Sequence, residues 1–339
     1  MAYTTIDDPT IYFNTKLFSG TGSSNSVTGV GFAPNFVWLK KRNGTPNHFL
    51  FDTVRGVQKA LNSNQNYAES TQSNALTAFG SDGFTVGSDG DVNGGNMVSW
   101  NWKAGSGTST NTAGNGPDTT INVNQTAGFS IVTWTGNGDA HTFGHGLGAN
   151  ADVVIVKNRG SGSSSAWYVN HISVANTKTL FLNTTAAETT NGIWGNSAPD
   201  STTFKFDTDN TDNFVAYCFA AKKGYSKFGS YVGNGNVSGS YIHLGFKPAF
   251  VIMKNTDSAT ASWGIMDNKR DSFNVTSKRL FTNTSGAETT GNNDFDLLSN
   301  GFKCRSTSGF NNTSGQTYIF MAFAESPFVS SSGVPTTAK

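Results

Sequence analysis

The chain is predicted to be all-β, built as three tandem antiparallel β-sandwich or jelly-roll units. Three observations lead to this. First, the sequence repeats itself. FSGTG from Phe18, WTGNG from Trp134 and YVGNG from Tyr231 each open a stretch that continues in the same order. Next come GFAPNFVWLKKR, GLGANADVVIVKNR and GFKPAFVIMKN, which place Lys40, Lys157 and Lys254 at equivalent positions. Second, the spacing is domain-sized, at about a hundred residues, whereas solenoid repeats run roughly 20–50. Third, short runs rich in Val, Ile, Phe, Tyr and Trp are broken throughout by Gly, Asn, Asp and Ser. That is the pattern of strands and tight turns. No stretch of helical period exceeds about three turns.

The elements follow in order. Residues 1–11 form an N-terminal arm. The first unit, 12–104, has strand signals at Asn35–Lys40 and His48–Phe51 and closes on an aromatic strand ending at Trp102. Residues 105–127 are rich in Gly, Ser, Thr and Asn and are expected to be a flexible linker, leaving the first unit hinged or docked separately. The second unit, 128–222, closes at Phe219 and runs almost directly into the third, 223–328, so those two are expected to form a rigid pair. A polar tail, 329–339, ends the chain. Pro34 and Pro248 are placed just before their strands. Short helical turns are expected near 68–71, 186–189 and 287–289.

Composition narrows the function classes. Only 13% of residues are charged, the formal net charge is +1, and 39 residues are Gly. A polar, weakly charged surface suits extracellular β-structures and virion components. No basic patch points to nucleic acid. The first residues lack a basic start and an apolar core, so no signal peptide is expected. The longest apolar run, Phe214–Ala221, falls far short of the roughly 18 residues that span a bilayer. Synthesis in a cytoplasm without membrane insertion follows. Cys218 and Cys304 occupy non-equivalent positions and are expected as buried thiols.

Chemistry-bearing residues fall into four groups. Lys59/Glu69, Lys178/Glu188 and Lys278/Glu288 keep a spacing of ten in every unit. Recurrence at one place argues for structural ion pairs, and removing Glu188 is expected to loosen the second unit. Asp89, Asp91 and Asn93 have the D-x-D-x-N-G arrangement of a calcium loop, with Asp207, Asp209 and Asp212 in the matching second-unit loop. The bidentate Glu is missing, because Trp100 stands there, and the third-unit loop has no carboxylate. Tight hairpins demand the same residues, so the expectation is no cofactor, with calcium the weaker alternative.

Most tryptophans occupy recurring core positions; Trp167 aligns with Phe49 and Trp263. Trp194 has no counterpart and sits in a Gly/Asn loop, which makes it the candidate ligand-binding residue. The five His show no metal-ligand spacing, and neither a nucleophile elbow nor a phosphate loop is present. No catalytic residue is assigned and no enzymatic activity is expected.

Several segments carry a resemblance: AYTTIDDPTIYFNTKLFSGTG, SDGFTVGSDGDVNG, GYSKFGSYVGNG, GFKPAFVIMKNTDS, DLLSNGFKCR and MAFAESPFVSSSGVPTTAK. Together they resemble an uncharacterised family of repeat proteins abundant in marine tailed phages. The resemblance implies concanavalin A-like or jelly-roll units and a virion structural or tail-fibre role, and it supplies no site residues. The expected function is a non-enzymatic, homo-oligomeric protein on the virion surface. Its partners would be other virion proteins and the host cell surface, including glycans, with no nucleic acid. A capsid decoration or cement protein and a polysaccharide depolymerase are the alternatives.

Overall fold

The three Lys-ending runs become the strands Phe36–Lys41, Val153–Asn158 and Phe246–Asn255 in a computed structural model that describes residues 3–160, 165–208, 210–291 and 294–336. Each lies antiparallel to its unit's closing strand, with Phe36 opposite Trp102, Val153 opposite Phe219 and Phe250 opposite Phe323. An outer strand flanks the closing strand: Phe13–Ser19, Phe129–Thr135 and Ser226–Val232. A hairpin strand flanks the other side: Phe49–Asp52, Trp167–His171 and Gly264–Asp267. The same strand order therefore occurs three times. A smaller antiparallel sheet accompanies each main sheet, formed by Asn25–Thr28, Gly83–Val86 and Leu76–Gly80 in the first unit. The second unit has Ala140–Gly144 with Thr203–Asp207, and the third has Tyr241–His243, Gly301–Cys304 and Phe295–Leu298.

Side chains alternate across these strands, yet both faces are buried. In the first unit, Val37, Leu39, Phe49 and Phe51 pack towards the small sheet with Val27, Leu76 and Phe84. Phe36, Trp38, Leu50, Trp100 and Trp102 face the other way. There they join Phe129, Ile155, Trp167, Tyr217 and Phe219 of the second unit and Phe250, Ile252, Trp263, Met321 and Phe323 of the third. Burial on both faces explains why these strands read as continuous apolar runs and not as alternating ones. The chain has one central core shared by all three main sheets and a private core behind each. A cavity of about 20 Å³ remains in the centre, walled by residues such as Phe36, Trp38, Ile155, Ile252 and Met321. Its apolar walls offer water no partners.

Four expectations are corrected. Residues 105–127 are not a flexible linker: Ser109–Asn111 and Thr119–Asn124 pair in sequence onto Phe129–Thr135 and extend the second unit's sheet. The first unit is not hinged, because its inner face is part of the common core. Pro248 lies inside a strand, where the register shifts around it, since proline has no ladder N–H to give. Near 68–71 and 186–189 the chain forms the short strands Ser70–Thr71 and Thr189–Thr190, not helical turns, and Thr289 bridges to Arg279. Both cysteines are free and buried, as expected. Among the described residues no helix is long and apolar enough to cross a membrane.

A shared core ties the three units into one cooperative block. Scanning calorimetry should show a single transition with calorimetric and van't Hoff enthalpies in agreement. Two resolved transitions would contradict the common core.

Candidate functional site

A lysine at the end of a buried strand has two choices: leave its ammonium unsolvated, or find carbonyl oxygens. All three recurring lysines take the second. Lys40 Nζ donates to the carbonyls of Lys41, Gly44 and Pro46 in its own hairpin and to Ser285 O of the third unit, at 2.9–3.2 Å. Lys157 donates to Ser165 O at 2.9 Å and to Asn66 O of the first unit at 3.3 Å. Lys254 donates to Asn255, Ser258 and Ala261 carbonyls and to Thr185 O of the second unit at 3.0 Å. Asn66, Thr185 and Ser285 are equivalent positions, each three residues before the recurring Glu. Every unit therefore reaches into the one before it, and the first reaches into the third. Burial draws each ammonium down to about 8.

The same cyclic order recurs in the backbone. Glu69 N–H donates to Arg159 O, Glu188 N–H to Thr256 O and Glu288 N–H to Arg42 O, at 2.7–3.2 Å. Indole groups follow: Trp167 Nε1 donates to Asn62 O and Trp263 Nε1 to Phe181 O, both at 2.9 Å. Strand register makes His48, not Phe49, the counterpart of Trp167 and Trp263, because Asp52, His171 and Asp267 each stand four residues on and pair at matching places. His48 accordingly takes the indole's place near the Phe281 backbone, and its Nδ1 accepts from Trp38 Nε1 at 2.8 Å.

The glutamates are structural, but two of their three expected partners are wrong. Glu69 is gripped by Arg159 of the second unit at 2.9 Å and by Arg55 at 3.0 Å. Glu288 is gripped by Arg42 of the first unit at 2.7 Å and by Arg270 at 3.1 Å. Lys59 instead donates to Thr71 Oγ1, and Lys278 to Arg270 O. Guanidinium forks fit a carboxylate in two bonds, which an ammonium cannot do. Arg55 and Arg270 also bind Asp52 and Asp267 at 2.5 Å, and those aspartates accept from Tyr217 and Trp100 of the following unit. Burial works to raise Asp267, but the Arg270 guanidinium outweighs it and holds the carboxyl below its ordinary range.

The remaining junction, third unit onto second, departs from this chemistry. There Thr256 stands for the arginine, His171 for the aspartate, Val174 for the second arginine and Met321 for the aromatic donor. Among the described residues the Glu188 carboxylate keeps only Lys178, the one Lys–Glu pair that forms as expected. His171 Nδ1 accepts from Ser173 N–H and its Nε2–H faces Phe320 O at 3.1 Å, which fixes a neutral ring. Burial lowers it to about 4.

The other sequence candidates are placed as follows. Trp194 is only 1% exposed, inside the second unit's private core with its ring 5.2 Å from Phe206, so it is not a surface anchor. The loop residues Ile193 and Trp194 form a short 3-10 turn capped by Asn191, which tucks the indole inward. Asp89 caps the four-residue helix Gly90–Asn93. Asn93 is buried and fully engaged, accepting from Thr21 N and Asn25 Nδ2 and donating to Ser23 and Gly87 carbonyls. Asp91 is exposed, Asp207 lies half-buried in its strand, and Asp212 accepts from Asn158. Asp209 lies outside the described residues. Among the described residues no group of three His, Cys, Asp or Glu converges.

What the recurrence left unexamined is an insertion. Seven residues separate Arg270 from Lys278, against three between Arg55 and Lys59 and three between Val174 and Lys178. The extra segment presents Phe273 at 82% exposure. It is braced on both sides: Asn274 exchanges two bonds with the Leu297 backbone at 2.8–2.9 Å, and Asp271 Oδ2 accepts the Ser277 and Lys278 amides. The added length was visible in the sequence.

Two measurements check this account. Glu69→Gln removes one of the two carboxylates on the buried Arg55, leaving Asp52, and weakens the hold on Arg159, so it should lower unfolding free energy by about 1.5–3 kcal/mol. Glu188→Gln breaks a half-exposed pair and should cost about 0–1 kcal/mol. Equal losses in urea titrations would refute the difference. His171 has a folded pKa below its ordinary 6.5, so its contribution is complete above pH 6.5 and lost as pH falls towards 4. That window is worth roughly 3 kcal/mol. His171→Gln should flatten the stability profile between those values, and an unchanged slope would count against it.

No curated protein matches the chain at a significant level. A family described only as a domain of unknown function matches residues 8–327, nearly the whole chain. The protein belongs to that family, DUF7483.

Proposed function

We propose that the chain is a non-catalytic structural module on the surface of a tailed-phage virion, of fibre or appendage type, that touches the host surface through many copies at once. One observation carries this reading. Lys40, Lys157 and Lys254 and the clamps of Arg42 on Glu288 and Arg159 on Glu69 face the junctions between units, where they hold the block together, whereas the most exposed aromatic ring sits on a segment found in one unit alone. A feature repeated three times serves the shared scaffold; a feature present once is available for a particular contact. Phe273 stands proud of a braced loop, and an exposed ring on a rigid support stacks on a sugar face or fills an apolar recess at little entropic cost. One such contact is weak. Copies tethered to a single particle gain avidity without any new contact. The weakly charged, Ser/Thr/Asn-rich surface and the resemblance to phage repeat proteins support placing it on a particle.

The decoration or cement alternative expects an arm that waits for a partner. From Tyr3 onward the arm is instead fastened to its own third unit by Tyr3 and Thr4, which donate to Gly245 O and Lys223 O, and to the tail by Asp7, which accepts from Ser331 N–H. Quantitative mass spectrometry of purified particles tests the proposal. A copy number in small, tail-like multiples is expected, together with weaker host adsorption by Phe273→Ala particles at unchanged melting temperature. Counts matching the major capsid protein would favour decoration. Absence from the particle would overturn the proposal, and reducing ends released from host polysaccharide would replace it with a depolymerase.

A further inference from the structure

Among the described residues the outer strand of the first unit, Phe13–Ser19, is the end of its sheet and pairs only with Asn96–Trp102. Its counterpart in the second unit is not an edge. There Thr119–Asn124 lies antiparallel along Phe129–Thr135, with Asn124 opposite Phe129 and Thr120 opposite Thr133. That added strand also crosses the junction between units, since Asn122 Nδ2 donates to Thr53 Oγ1 of the first unit at 3.2 Å. The fold thus contains one worked instance of a strand laid on this edge.

In the first unit the same place is a groove. A cavity of about 320 Å³ is lined by Asn14, Thr15, Lys16 and Leu17 of the edge, by Gly29, and by Lys269 of the third unit. Lys269 follows Asn268, the counterpart of Thr53, so the groove straddles a junction as 119–124 does. Thr15 Oγ1 is buried at this edge with no hydrogen-bond partner among the described residues. We propose that this groove accepts an extended, acidic segment of a partner protein as an added antiparallel strand. Main-chain ladder bonds would supply affinity, and alternate side chains would supply the choice of partner.

Charge selects the occupant. Lys16 and Lys269 line the groove; Asp82, held by the Gly29 and Gly31 amides at 2.9 and 2.7 Å, offsets part of the Lys16 charge and leaves the groove with two cations against one acid. A second copy pairing edge to edge about the strand centre would set Lys16 against Lys16, and like charges directly opposite are destabilising. A segment of β-branched residues with Asp or Glu at alternate positions meets both lysines instead. Lys269 lies four residues before Phe273, but the edge strand itself belongs to the first unit, and the inference stands whether or not the particle-surface reading holds.

The test uses the full chain and an array of hexapeptides on the chain's own Thr-Thr-Ile-Asn-Val-Asn template, with Asp, Asn or Lys at alternate positions. Acidic peptides should be retained at least tenfold better than lysine-bearing ones, with amide exchange slowed at Asn14–Leu17. Lys16→Glu, with its melting temperature checked, should abolish that preference, and Lys269→Glu should weaken it. If no acidic peptide is retained, Lys16 merely blunts an exposed edge, and the proposal fails. Retention indifferent to charge, or exchange slowed elsewhere, would overturn it equally.

Discussion

Three buried ammonium groups, each bonded across a junction as well as within its own unit, govern this molecule. Lys40, Lys157 and Lys254 end strands whose two faces are both covered, so water is out of reach. The hairpin that follows each lysine supplies some carbonyls, and the neighbouring unit supplies another. An isolated unit would therefore expose an apolar sheet face and lose the neighbour's carbonyl from around each cation. Cooperation between units is built into the smallest charged detail.

The three junctions carry one geometry but two chemistries. Two are laced by Arg–Glu and Arg–Asp contacts, while the third substitutes Thr256, His171, Val174 and Met321. Replacing a buried ionic network with packed apolar groups is often neutral or stabilising, provided all partners leave together. Here most of them are absent: both arginine positions and the aspartate are occupied by other residues, and Glu188, the acid that stays, pairs with a half-exposed lysine. The backbone bond from Glu188 to Thr256 survived unaltered. The main-chain contacts and the lysine shell are thus the common element, and the guanidinium clamps are an elaboration on them.

Much of this was legible in the sequence, and the exceptions have physical causes. The all-β class, the strands and the equivalence of the lysines and glutamates could be read directly, because short apolar runs and the turn residues between them are local signals. FVWLK and VVIVK also carried the message of two-sided burial, since a half-exposed strand would alternate. The partners of Glu69 and Glu288 were hidden because Arg159 and Arg42 come from other units, and sequence spacing favours the nearest opposite charge. Residues 105–127 looked flexible on composition, but Thr119–Asn124 alternates β-branched residues with polar ones, and its ladder lies on a neighbouring strand. Trp194 misled for the opposite reason: a Gly/Asn loop can fold its indole inward when a short capped turn aims it there.

Of the three joints in this ring, the chain itself crosses only two. The third is closed without a covalent link, by Lys40 on Ser285, Arg42 on Glu288 and Trp100 on Asp267. The arm from Tyr3 to Pro9 adds to it across the third unit, where Asp7 meets Ser331 of the tail and Ile6 enters the central core. The two described ends consequently lie side by side on one unit. A short peptide splice between them would make the backbone circular, and a cut elsewhere, for instance in the exposed loop at 106–108, would yield a permuted chain with all three junctions preserved. Force applied through both ends would meet the arm and tail first and reach the ring only after they had peeled away.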